Sequence, residues 1–178
     1  MASRESRAIS ATVDAEIARG TRLAILYGYP ERGAQDAILN AVQLIGSDGS
    51  SLANYRKTHL FGAIDRSMFS ASAEGSPVVE VGGWRLGMLI CYDVEFPENT
   101  RRLALAGADL ILAPTANMIP YDVVATTIVP ARAFENQGYL AYANYCGSEG
   151  PIRYCGLSCI TAPDGADAPR AGHSPTSR

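Results

Sequence analysis

With 178 residues, 47% of them hydrophobic, the chain is long enough for one domain with a sizeable core and too short to expect two. A formal net charge of -3 and the lack of any dense Lys/Arg run exclude an electrostatic footprint for nucleic acid. No apolar stretch reaches membrane-spanning length, and the polar opening Met1 to Arg7 carries no signal-peptide core, so a soluble, cytoplasmic protein is expected.

In chain order, Ala8 to Gly20 reads as a helix, with Ile9, Val13 and Ile17 on one face and Gly20 as its stop. Leu23 to Tyr27 reads as a buried strand. Ala37 to Ile45 and Ser51 to His59 read as a hairpin turned at Gly46-Ser47-Asp48-Gly49 and ending near Lys57. Phe61 to Ser76 has no periodic run and is expected to be a loop walling a site. Pro77 to Val81 and Trp84 to Ile90 form a second hairpin through Gly82-Gly83, and Pro97 to Ala106 a helix stopped by Gly107. Asp109 to Ala113 is a short strand. The next helix begins near Tyr121 and is kinked or restarted at Pro130. Tyr139 to Tyr145 and Tyr154 to Ala162 are strands, and Ala166 to Arg178 a frayed tail. Apolar strands interleaved with helices place the chain in the layered α/β class.

The chemistry concentrates at Gly87 to Glu98, where an apolar run delivers Cys91 into a sharp polar turn just before a helix start. A strand-turn-helix elbow holds a side chain out of the sheet, and the next backbone N–H, that of Tyr92, can face a developing oxyanion. A buried structural cysteine fits the same stretch, since thiols are among the most buried side chains. The four cysteines 91, 146, 155 and 159 lack zinc-ribbon or redox spacing, and neither histidine lies near them, so no metal and no cofactor is expected. Asn117 and Met118, in a loop after a strand, are candidates for binding substrate, because ligands gather at strand ends in α/β folds.

Three further blocks bear on the elbow: Tyr55-Arg56-Lys57-Thr58-His59-Leu60-Phe61-Gly62, Pro114-Thr115-Ala116-Asn117 and Arg132-Ala133-Phe134-Glu135-Asn136. Together, from about Leu23 to Gly165, the chain resembles the nitrilase superfamily of carbon-nitrogen hydrolases. The resemblance implies an α-β-β-α sandwich that pairs with a second copy through its helices. Here the sandwich would be incomplete, lacking N-terminal strand-helix units and C-terminal strands. Residues 1–165 would form one partial hydrolase domain and 166–178 an unstructured tail.

In that family the chemistry belongs to a Cys, a Lys and a Glu. The first two match as Cys91 and Lys57, and the Glu has no match. A lysine ammonium near a thiol favours the thiolate. Asp65 falls where family members often carry an auxiliary acid, though a plain loop aspartate explains it equally well. Glu31 follows a proline, as the family's base does, but stands too close before Lys57 to be that residue. His59, two residues beyond Lys57, offers a rival Cys-His arrangement if the strand continues. Asp93 and Glu95 would raise the thiol's pKa if they faced it, and are expected to turn away. Arg132 and Glu135 read as a structural pair at i, i+3.

The expected function is hydrolysis of a small non-peptide amide to acid and ammonia through an acyl-thioester on Cys91. The Cys91-Tyr92-Asp93 triplet resembles the amidase branches. The alternatives are a nitrilase and a truncated, non-catalytic member that binds a carbonyl compound or a partner subunit. The expected partners are a small amide or nitrile and a second copy of the chain.

Overall fold

The computed structural model describes residues 14–174. The expected helix is seen from residue 14 as α1, residues 14–21, and its predicted start lies outside the described residues. Two sheets follow. β1 (Ile25–Arg32), β2 (Ile38–Ile45) and β3 (Ser51–Arg56) form an antiparallel sheet in that order. β1 runs through Pro30 and past the expected end at Tyr27, which an edge strand allows because a missing N–H can face away from its one neighbour. Helix α2 (Gly62–Met68) comes next, where the sequence suggested a loop. Its seven residues are too few to register as helical periodicity.

The second sheet is built around three parallel strands. β4 (Val79–Val81) and β5 (Trp84–Met88) form the hairpin turned at Gly82-Gly83, whose positive φ angles of 60° and 84° suit glycine. After helix α3 (Pro97–Leu105), β6 (Leu110–Thr115) joins β5 in parallel, and β7 (Tyr139–Asn144) joins β6 the same way. Between β6 and β7, a π-helical turn over Val124–Ile128 runs into α4 (Val129–Asn136). Pro130 takes its first turn, where a missing N–H is harmless.

The continuous strand expected from Tyr154 to Ala162 is two strands. β8 (Cys146–Glu149) and β9 (Ile152–Cys155) form a separate hairpin, and β10 (Cys159–Thr161) returns to pair with β7. Gly156 and Leu157, both at positive φ, make the break. The tail also departs from expectation: β11 (Asp167–Arg170) pairs with β10, completing the order β11-β10-β7-β6-β5-β4. Arg170 holds it, donating to the Asp167 carboxylate and to the Ala125 carbonyl. A polar strand without alternation leaves no periodic signal.

Strict alternation along β5 and β6 separates two cores. Leu86, Met88 and Ile90 face Val42, Leu44 and Tyr55 of the first sheet. Leu89, Ile111 and Ala113 face Leu103 of α3 and Val129 and Ala133 of α4. Each large aliphatic side chain so buried stabilises the fold by about 1.5–3 kcal/mol. Gly87 lets α3 approach the sheet, since a Cβ there would lie 2.9 Å from a Leu103 methyl. The layers are therefore sheet, sheet, helices, with α1 set against the β2–β3 turn, where the Ala15 carbonyl closely approaches Gly49. These layers follow the α-β-β-α sandwich that the family resemblance implied.

Candidate active site

β5 carries the chain through the buried Leu89 and Ile90 to Cys91, which sits at φ +48°. A non-glycine residue in this left-handed region costs about 1–3 kcal/mol and persists where its surroundings over-determine it. Asp93, fully buried, is the main constraint. Its Oδ2 accepts the Ile90 N–H at 3.1 Å and the Tyr55 hydroxyl at 2.9 Å. Its Oδ1 accepts the His59 N–H at 3.0 Å and the Thr58 hydroxyl at 3.2 Å. One carboxylate thus ties the elbow of the second sheet to the segment leaving the first, and it faces away from the thiol as expected. Arg132 adds a clamp, donating to the Val94 and Glu95 carbonyls at 3.1 and 2.8 Å besides pairing with Glu135 at 3.0 Å.

Lys57 follows β3 directly and is 2% exposed. Its backbone N–H donates to the Asn40 carbonyl, and its Nζ lies 2.5 Å from Oδ2 of Asp65. That same oxygen accepts the Phe61 N–H at 3.0 Å, so Asp65 fixes the start of α2 and the lysine together. Lys57, Asp65 and Cys91 line one cavity of about 340 Å³, with Met118 on its wall. Burial pushes the Cys91 thiol up. The Lys57 ammonium and the N–H groups of Ala116 and Tyr92 pull it down, and Asp65 raises it. Lys57 thus favours the thiolate, as expected, but desolvation outweighs it. The Ala116 N–H was missed by sequence reasoning because a backbone donor contributed by a loop leaves no residue-type signal. Tyr142 on β7 was missed too. Its phenol is pushed up by burial and, to a lesser extent, by Cys91, although Tyr142 does not line the cavity.

Other candidates lie elsewhere. Asn117 does not line the cavity. Its side-chain amide donates to the Tyr121 carbonyl at 2.7 Å, and its Oδ1 accepts the Met118 N–H at 3.0 Å, so it shapes the loop that presents Met118. His59 is not beside Lys57, because β3 ends at Arg56 and the two-residue period lapses there. Its Nδ1 lies 2.9 Å from the Thr58 hydroxyl and 3.3 Å from Asp93, and its ring stacks on Phe96. Glu31 is buried in β1, accepting Arg56 at 2.8 and 3.0 Å and Asn54 at 3.0 Å. Glu95 is half-buried, and burial pushes its carboxyl up against the opposing pull of Arg132 and Lys57. Among the described residues no cluster of three or more His, Cys, Asp or Glu could hold a metal ion, and no helix is long and apolar enough to cross a membrane.

The family model for carbon-nitrogen hydrolases matches residues 13–177. The chain belongs to the carbon-nitrogen hydrolase family. Among other members, it is 66% identical over 158 residues to a Pseudomonas protegens protein described as "Hydrolase in pqqF 5'region", covering 89% of this chain and 55% of that one. It is 35% identical over 148 residues to a nitrilase of Pyrococcus abyssi, covering 83% and 54%. An amidase of Nesterenkonia sp. AN1 superposes with a TM-score of 0.92 at 35% identity, over 96% of this chain and 67% of that one. A second form of that amidase, with a TM-score of 0.91, shows the Michael addition of acrylamide at the active site cysteine. The chain thus spans about half the length of the curated carbon-nitrogen hydrolases it matches.

Proposed function

We propose that the cavity is the nucleophile side of an amidase site, in which Cys91 attacks the carbonyl of a small non-peptide amide. The observation that carries this reading is that Cys91, Lys57 and Ala116 line one cavity, with the Tyr92 N–H acting on the same thiol. The thiolate adds to the carbonyl carbon, and negative charge moves to oxygen, where the ammonium and an N–H stabilise it. Collapse of the tetrahedral adduct forms a thioester and expels ammonia, the leaving nitrogen taking up the proton that the Cys91 thiol gave up. Water then releases the carboxylic acid and returns the thiol. Asp65 positions Lys57. Similarity to an amidase that is modified at its active site cysteine supports the assignment. Ammonia release from matched amides and nitriles tests it: faster turnover of nitriles would replace the amidase reading with a nitrilase one.

One observation favours a second reading, that this polypeptide binds or is acylated without turning over. Among the described residues, the only carboxylate on the cavity wall is Asp65, already engaged by Lys57 and the Phe61 N–H. Among the described residues no further carboxylate lines the cavity to serve as general base, and such a base is typically worth about 10² to 10⁴ in rate. A cytoplasmic setting is part of the same proposal, as is self-association through the helical layer. There Leu105 and Phe134 are 80% and 58% exposed. Sedimentation as a monomer that persists on concentration would remove the self-association.

A further inference from the structure

The make-up of the cavity wall extends this reading of Cys91 and depends on it. Ile64 and Met68 are one helical turn apart on α2, so both reach the cavity from the same face, although each is about half exposed. Ile152 of β9 and Met118 close another side. Lys57 is the only cation among the described lining residues, and Asp65 already engages it. The other polar side chains on the wall, Asn40, Thr115 and Tyr154, are uncharged, so a carboxylate on the acyl chain would lose water and gain no free cation, a costly exchange. We propose that the site takes amides with an uncharged aliphatic acyl group and rejects acyl chains ending in a carboxylate, with Ile64, Met68 and Ile152 setting that preference.

The test uses the 178-residue protein and two activated esters of equal chain length, p-nitrophenyl butyrate and mono-p-nitrophenyl succinate. The acyl adduct on Cys91 is followed by intact mass, and each rate is divided by that of the ester with glutathione. The butyryl adduct is expected to form about 100-fold faster, and Ile64→Arg or Met68→Lys to narrow that ratio by about tenfold or more by supplying the missing cation. Ile64 and Met68 are exposed enough to accept a charge without unfolding, which circular dichroism would verify. Equal or faster succinylation, or a ratio that neither substitution moves, overturns the preference while leaving the nucleophile in place. Adducts that form equally in Cys91→Ser overturn the nucleophile as well.

A separate observation concerns the hairpin that carries Ile152. Cys146 and Cys155 are directly opposite in the antiparallel register of β8 and β9. The Cys155 N–H donates to the Asn117 carbonyl and not across the hairpin, so this is a non-hydrogen-bonded pair. Such pairs have Cα atoms roughly 4.5 Å apart and side chains on one face, within the range a disulfide spans. Neither cysteine is in a disulfide in the structure. We infer that they form a reversible disulfide with a hydroperoxide as oxidant: one thiolate is oxidised to a sulfenic acid as the peroxide is reduced, and the second displaces water from it. The bond would pin the two strands behind Ile152 and Tyr154.

Hydrogen peroxide treatment of Cys91→Ser protein, which leaves the nucleophile out of the reaction, is expected to lower the mass by about 2 Da and link residues 146 and 155 in the peptide map, reversibly with dithiothreitol. Cys146→Ser should abolish the loss. Oxygen adducts without a 146–155 link would overturn the inference.

Discussion

The Lys57 ammonium lies 2.5 Å from Asp65 Oδ2, so the cation that acts on Cys91 is partly neutralised by a carboxylate anchored to α2. The Cys91 thiol is raised from its ordinary value of 9.0 by burial, with Lys57 pulling down and Asp65 pushing up. An acid whose pKa is raised is protonated at neutral pH, so alkylation of Cys91 is expected to increase with pH and to have its midpoint above that of a simple thiol. Asp65→Asn should move the midpoint down and Lys57→Met up, changing the rate at pH 7.5 by about threefold to tenfold in opposite directions. Iodoacetamide kinetics across pH measure both, and shifts of the same sign would remove Lys57 as the electrostatic partner.

Acylation and deacylation should separate. Lys57 can stabilise the thiolate without a general base, whereas attack by water on the thioester needs one. After a reactive ester is added, a single acyl group on Cys91 is expected to persist, with simple amides turned over weakly or not at all. Rapid loss of the adduct in intact-mass spectra would instead show that a carboxylate of this chain, Asp65 foremost, activates water.

Asp93 should be a stability residue. It accepts donors from Tyr55, Thr58, His59 and Ile90, with no exposure of its own. Asp93→Asn turns one acceptor oxygen into a donor among donors. It is expected to cost about 2–4 kcal/mol in urea unfolding and to reduce Cys91 labelling through loss of the elbow. His59→Gln, at the rim of the same network, should cost less than about 1 kcal/mol.

Gly87→Ala tests the contact between α3 and β5. Its Cβ would stand 2.9 Å from one Leu103 methyl and 3.0 Å from the other. Overpacking of about 1–3 kcal/mol is expected, and Leu103→Ala in the same chain should relieve part of it. Thermal unfolding of the two single variants and the double variant gives the coupling.

Glu95→Gln is expected to raise the thermal midpoint at neutral pH. Burial holds this carboxyl's pKa above its unfolded value, so ionisation disfavours the folded state once pH exceeds that unfolded value. The gain should fade as pH falls below the ordinary glutamate range, where the carboxyl is protonated in either state. A gain equal at both pH values would assign the effect to packing.

The sequence by itself determined the α/β class, both hairpins, helix α3 and the elbow at Cys91, because alternation, glycine pairs and Pro97 are local signals read one segment at a time. It also marked Cys91 and Lys57 through the motifs around them. It could not show that α2 exists, that β11 pairs, or that the run from Tyr154 divides between two sheets. Those outcomes depend on partners distant in the chain and on a positive-φ break at Gly156-Leu157. The site divides the same way. That Asp93 turns inward, that His59 and Asn117 serve the scaffold, that the Ala116 N–H faces the thiol, and that burial outweighs Lys57 all follow from where two sheets and a loop meet in space. Desolvation is a property of the whole surrounding structure, so only the tertiary fold could decide the state of the cysteine that the sequence had singled out.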